Sequence, residues 1–195
     1  GVGVELCGRR LEVCSIFMKE YSNISAFESG RKFCSVMCDD PLPVKHKVYG
    51  SNNWYYAIGN SSHEQILRDT QLICSLSKEN ENPPYMVIDD GWQPNPCDGP
   101  WNSGGEKFPD MKGLASEISK AGALPGIWIR YLNDSRRMSE DVSDDWYVEG
   151  RPGTLDPSLP EVIEHVKKDT RRLVEWGYKL IKHDFTTFDI YGQYG

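Results

Sequence analysis

The sequence predicts an α/β protein in which a parallel sheet is covered by helices. From Val48 onward short apolar runs alternate with longer amphipathic segments, the grammar of repeated βα units. The apolar runs begin near residues 48, 85, 124 and 178, and that spacing fits the ~30 or more residues of one unit. Two long loops, Gly91 to Pro109 and Tyr131 to Pro157, follow the second and third runs, at the end of the sheet where such folds keep their sites. A closed barrel and an open doubly wound sheet satisfy these observations equally.

Residues 1–45 read differently. The runs "VGVEL", "LEVCSIFMK" and "KFCSVMC" alternate or stay apolar, with turn-forming "ESGRK" and "DDPLP" between or after them, so short strands and no helix are expected. Pro41 to Lys47 marks a boundary, which divides the chain into 1–45 and 46–195. The first unit of the second part opens with "KVYGSNNWYY". Ser61 or Ser62, with Glu64 or Gln65 three residues on, then caps a helix whose one face carries Ile66, Leu67, Thr70, Ile73 and Cys74. The second strand, "PYMVIDDG", ends on two carboxylates. Met111, Leu114, Ile118 and Ala121 stripe the next helix, and Gly122 stops it. After the third strand, "LPGIWIR", Ser158 and Glu161 form a capping box for a helix bearing Val162, Val166, Thr170 and Leu173, which Gly177 terminates. The fourth strand lies in "YKLIKHDFTTFDIYG".

Bulk properties narrow the partners. A net charge of −7 over 195 residues argues against a phosphate backbone as ligand, because nothing supplies the basic patch that displaces counterions. No window approaches the roughly 20 apolar residues of a membrane helix. Neither nucleic acid nor membrane is expected as a partner. Six scattered cysteines in a chain this size read as reduced thiols, which suggests a cytoplasmic location. Cys34, Cys38 and His46 do not complete a set of four zinc ligands, so no structural metal is expected.

The chemistry concentrates at strand ends. Side chains alternate along a strand, so Lys182 and Asp184 share a face that Ile181 and His183 do not. Alone, the pair reads equally well as a structural salt bridge or as part of a site. Asp89 and Asp90 shift the balance, since they end the second strand on the same edge of the sheet. Three carboxylates and one ammonium around a cleft suit sugar hydroxyls, and Trp54, Trp92, Trp101 and Trp128 near the strand ends offer faces for sugar C–H groups. Hard cations also take carboxylates, but Lys182 would repel one placed beside Asp184. Trp128, inside an apolar strand, is the tryptophan expected in the core.

Five segments together resemble a known family: "IDDGWQ" (88–93), "KFPDMKGLA" (107–115), "PGIWIR" (125–130), "LDPSLPEV" (155–162) and "WGYKLIKHDFTTFDI" (176–190). In order and spacing, residues 48 to 195 are similar to the α-galactosidase and raffinose-synthase group of glycoside hydrolases, family 36 and its clan relatives. The resemblance implies the first four βα units of a TIM (β/α)8 barrel, with residues 1–45 as the tail of an N-terminal β-sandwich and 46–195 as the first half of the catalytic barrel. It implies that Asp184 is the nucleophile, that Lys182 binds a sugar hydroxyl, and that Asp89 and Asp90 grip the hydroxyls distinguishing galactose from glucose. Trp54 matches the tryptophan after the first strand. Trp92 and Arg130 join them as substrate-binding residues, Arg130 standing where many members carry a glutamate-containing segment. In the family the general acid/base comes from a later barrel strand. The chain is therefore expected to be a fragment, inactive alone, capable of self-association through an open barrel edge, and specific for a galactoside or oligosaccharide with no cofactor. A non-catalytic galactose-binding module and a raffinose-type transglycosylase are the alternative readings.

Overall fold

Apolar runs and amphipathic helices alternate in the computed structural model, which describes residues 7–10, 12–38, 40–42 and 45–191, with side chains as far as Asp189. The chain divides into two compact units, Gly1–Lys47 and Val48–Gly195.

The first unit corrects an expectation. Its described residues form no strand; instead α1 runs over Ala26–Met37. The signal for it is a capping box, in which Ser25 Oγ accepts from Glu28 N at 3.2 Å and Glu28 Oε2 accepts from Ser25 N at 3.3 Å. Phe27, Cys34 and Met37 also recur at helical intervals, so "KFCSVMC" continues a helical stripe and does not begin a strand. Residues 12–22 have no ladder partner among the described residues, and a lone extended segment is not a stable strand. The "VGVEL" run lies outside the described residues.

In the second unit β1 is Gly50–Asn52, and one helical turn, α2, covers Trp54–Ala57. The expected strand through "NNWYY" is cut short because Asn52 Oδ1 accepts from Trp54 N at 2.9 Å, a local bond that turns the chain. Helix α3 (His63–Leu76) starts at Ser62, whose Oγ accepts from Gln65 N, and it buries Ile66 and Thr70. Strand β2 is Tyr85–Ile88. Helix α4 (Met111–Lys120) is capped by Asp110, which accepts from Gly113 N at 2.7 Å, and buries Met111, Leu114, Ala115 and Ile118. Strand β3 is Leu124–Ile129, α5 is Pro160–Trp176, β4 is Leu180–His183 and a short α6 is Thr186–Tyr191. The capping box expected at Ser158 does not form. Leu159 is the cap residue and Pro160 takes the first helical position, where its missing N–H costs nothing. Gly177, at φ 107°, closes α5 in the left-handed region.

The four strands are all parallel and lie in the order β1-β2-β3-β4, with Tyr85 opposite Gly50 and Leu124, and Gly126 opposite Leu180. Strand order separates the two architectures that the sequence left tied. A doubly wound sheet reverses direction at a switch point, whereas a barrel adds each strand beside the last. The fold is that of the first βα units of a TIM barrel. Its core joins β2 and β3 to the inner faces of α3, α4 and α5 through Ile66, Ile88, Leu114, Ile118, Ile127 and Leu173.

Candidate active site

The end of each strand contributes to one hollow. Trp54, Asp89, Asp90, Cys97, Trp128, Lys182, Asp184 and Phe185 line a cavity of about 120 Å³. It is smaller than the ~150 Å³ cavity that encloses one benzene ring, and the side chains of Lys182 and Asp184 are more than a third exposed, so the hollow is the floor of an open cleft.

Parallel register explains the convergence. Trp128 lies opposite Lys182 across β3 and β4, and Asp184 N donates to Ile129 O at 3.0 Å, which carries the β4 pairing one residue past its end. Lys182 Nζ is 2.7 Å from Asp89 Oδ2 and 3.6 Å from Asp184 Oδ2, so one ammonium bridges the second and fourth strands. That ammonium fills the position between the two carboxylates where a hard cation would bind.

Asp89 is held from three sides. Asn52 Nδ2 donates to its Oδ2 at 2.6 Å, Asp90 N donates to its Oδ1 at 2.9 Å, and its own N–H donates to Asn53 Oδ1 at 2.7 Å. Asn53, fully buried, is fixed in turn by donating to Ser61 Oγ. Asp90 takes both of its bonds on Oδ1, from Gln93 Nε2 at 2.5 Å and Cys97 N at 2.7 Å. The turn after Asp90 depends on Gly91, at φ 102°, where a Cβ would stand 2.2 Å from Gly59 O. Backbone contact between these two glycines therefore seats the loop after β2 against the end of α2.

Asp184 is the half-exposed carboxylate. Burial pushes its carboxyl upward, but hydrogen bonds from Trp128 Nε1 (2.9 Å to Oδ2) and Phe185 N (2.9 Å to Oδ1), together with the Lys182 charge, hold it below the ordinary aspartate range. An ionised, hydrogen-bonded carboxylate at the mouth of a cleft can act as a nucleophile or as an acceptor for hydroxyls.

Of the seven residues that the resemblance assigns to the site, Trp54, Asp89, Asp90, Lys182 and Asp184 line the cavity, and Trp92 and Arg130 do not. Trp92 is a correction: it is fully buried, donates through Nε1 to Trp128 O at 2.8 Å, and packs against Trp101 and Trp176 at 6.1 and 6.2 Å. Trp101 is core as well. The loop after β2 folds back under the sheet end, and an indole there fills the core more favourably than it would cover a sugar. Arg130 stands behind the cavity wall, paired with Asp189 at 2.5 Å. Trp128 plays two parts, as a buried core residue whose ring edge forms part of the cavity. Sequence reasoning missed Cys97, Phe185 and the Asn52-Asn53 pair. The position of Phe185 directly after Lys182-His183-Asp184, and two amides closing a strand before Trp54, were the available signals.

No family model and no curated protein matches the chain. Among solved structures it is similar to the α-galactosidase of Thermus thermophilus, seen with p-nitrophenyl α-D-galactopyranoside (24% identity, 74% of this chain, 32% of that chain, TM-score 0.57). The same enzyme with stachyose aligns at 22% identity over 74% of this chain and 33% of that one, with TM-score 0.59. The family 36 α-galactosidase AgaB of Geobacillus stearothermophilus matches at 18% identity, 71% of this chain, 21% of that chain and TM-score 0.52. The chain thus spans a third or less of the length of these structures. What the likeness establishes is the fold: the parallel sheet and helices are those found in α-galactosidase barrels.

Proposed function

We propose that this chain carries the galactose-binding portion and the nucleophile of a retaining glycosidase acting on α-galactosides. The supporting observation is the convergence of Asp89, Asp90, Lys182, Asp184 and Trp54 on one cavity, at the strand ends of a sheet shared with α-galactosidases. Asp89, Asp90 and Lys182 supply short, directional partners for sugar hydroxyls, and the Trp54 ring covers the apolar side of the pyranose. Asp184, kept ionised by Trp128, Phe185 and Lys182, attacks the anomeric carbon and forms a glycosyl ester as the leaving oxygen departs.

A retaining mechanism needs a second carboxyl group, about 5–5.5 Å from the first, to protonate the leaving oxygen. Asp89 is engaged by Asn52, Lys182 and the Asp90 backbone, and Asp90 by Gln93 and Cys97, so both are committed as acceptors. We assign the acid/base role to neither, and the 195-residue chain is expected to bind galactose without turning over unactivated galactosides. The same engagement is what a non-catalytic galactose-binding module would show. Titration calorimetry of the purified chain tests the sugar site: galactose binds, glucose binds at least about tenfold more weakly, and Asp89→Ala abolishes the difference. Equal binding of both sugars, or none of either, would remove the proposal.

A further inference from the structure

Arg130, at the end of β3, was expected to touch substrate, yet each of its guanidinium nitrogens is engaged by protein. Nε donates to both carboxylate oxygens of Asp189 at 3.0 Å, Nη2 donates to Asp189 Oδ1 at 2.5 Å, and Nη1 reaches Cys97 Sγ at 3.3 Å. Its Cζ lies over the Phe185 ring, 4.6 Å from the centroid, with the Phe188 centroid at 5.8 Å. The side chain of Asp189 is 2% exposed and that of Arg130 13%, so the pair is sheltered from solvent.

The residues Arg130 clasps share an unusual property. Cys97 and Phe185 are both non-glycine residues in the left-handed region, at φ 60° and φ 58°. A bulky side chain holds that conformation only where the surroundings over-determine it. Each also donates its backbone N–H to a cavity carboxylate, Cys97 to Asp90 Oδ1 at 2.7 Å and Phe185 to Asp184 Oδ1 at 2.9 Å. The two strained turns aim the two carboxylates, and one guanidinium touches both turns. Asp189 completes the circuit, because its backbone N–H donates to Phe185 O at 2.8 Å.

We propose that Arg130 is a positioning residue, which with Asp189 locks the turns at Cys97 and Phe185 and thereby sets the orientation of Asp90 and Asp184 together. What the two carboxylates do there rests on the glycosidase reading above; that they are held in concert does not. Bidentate pairing with Asp189 together with a contact to Cys97 is specific to the planar fork, so lysine at this position would keep the charge and lose the lock.

The test is a carbon-detected NMR titration of Asp184 in the full chain, compared with Arg130→Met, Arg130→Lys and Asp189→Asn. The charged and titratable groups near Asp184 are Lys182 and His183 on β4, Asp89 and Asp90 at the end of β2, and Cys97 in the loop after it; none is itself substituted, although His183 interacts with Asp189, and Cys97 with both Arg130 and Asp189. Loss of the lock releases the Phe185 N–H, so the Asp184 titration midpoint moves upward in all three variants, and galactose affinity falls by at least about tenfold. Asp189→Asn preserves shape, and it carries the test if Arg130→Met does not fold. A folded Asp189→Asn or Arg130→Lys protein with an unmoved midpoint overturns the proposal. If the unaltered chain binds no galactose while the midpoints still move, the sugar reading fails and the lock stands.

Discussion

Replacing Lys182 by methionine removes the ammonium that joins the ends of the second and fourth strands while keeping most of the side-chain volume. Asp89 then loses its 2.7 Å ammonium partner and retains Asn52, and Asp184 loses a cation 3.6 Å away. An exposed ion pair contributes ~0–1 kcal/mol, and stranding one partner of a buried pair costs ~3–5 kcal/mol. The side chain of Asp89 is only 3% exposed but that of Lys182 is 38% exposed, so the expected loss lies between these limits, at about 2 kcal/mol. For a chain of this size 1 kcal/mol corresponds to about 2–4 °C, giving a fall in Tm of about 4–8 °C. Thermal unfolding followed by circular dichroism reads this directly. Adding Asp89→Asn should recover part of the loss, because no uncompensated buried charge remains, although the single amide oxygen keeps only one of the two bonds from Asn52 and the Asp90 backbone. An unchanged Tm for Lys182→Met, or strictly additive losses in the double variant, would refute the bridging role.

Two further outcomes follow from the same geometry. Because the Asp184 carboxyl is held below its ordinary range in the folded protein, it contributes stability that is present above its unfolded pKa of ~3.9 and is lost as pH falls through the lower folded value. Asp184→Asn should therefore flatten the acid limb of a stability–pH curve below about pH 4, measured by urea midpoints, and a curve parallel to that of the unaltered chain would contradict the assigned environment. Trp92→Ala should cost about 3–5 kcal/mol as a core truncation, with galactose affinity of the folded fraction unchanged; weakened binding without destabilisation would return Trp92 to the sugar site.

Where local chemistry and tertiary demand agreed, the sequence was legible. The stripe of α3 with its cap at one of two serines, the Met111, Leu114 and Ile118 face of α4, and the carboxylates ending β2 and β4 could be read from residue type and spacing, because each sits where alternation or 3.6-residue periodicity forces it; Ala121, expected on the α4 face, is exposed past the helix end. Strand order could not be read, since it depends on which strands pair across loops of very different length. Trp92 and Arg130 were misplaced for one reason. Both flank a strand end, but the loops they belong to fold back, and only three-dimensional packing shows that one ring enters the core and one guanidinium faces Asp189. The first unit misled through an overlooked local signal, the Ser25–Glu28 capping box, which outweighed the apolar run that followed it.

The central claim is that the Asp184 carboxylate faces the anomeric carbon of a bound galactose. The fluoride of an activated substrate such as an α-galactosyl fluoride leaves as the carboxylate bonds to the anomeric carbon, and it needs no proton, so a chain holding the nucleophile can be trapped without a general acid. Mass spectrometry of the chain after exposure to a slow-turnover fluorinated galactosyl fluoride should find one hexosyl-type adduct, on the peptide containing Asp184 and absent from Asp184→Asn. No adduct, or an adduct on another carboxylate, would contradict the account.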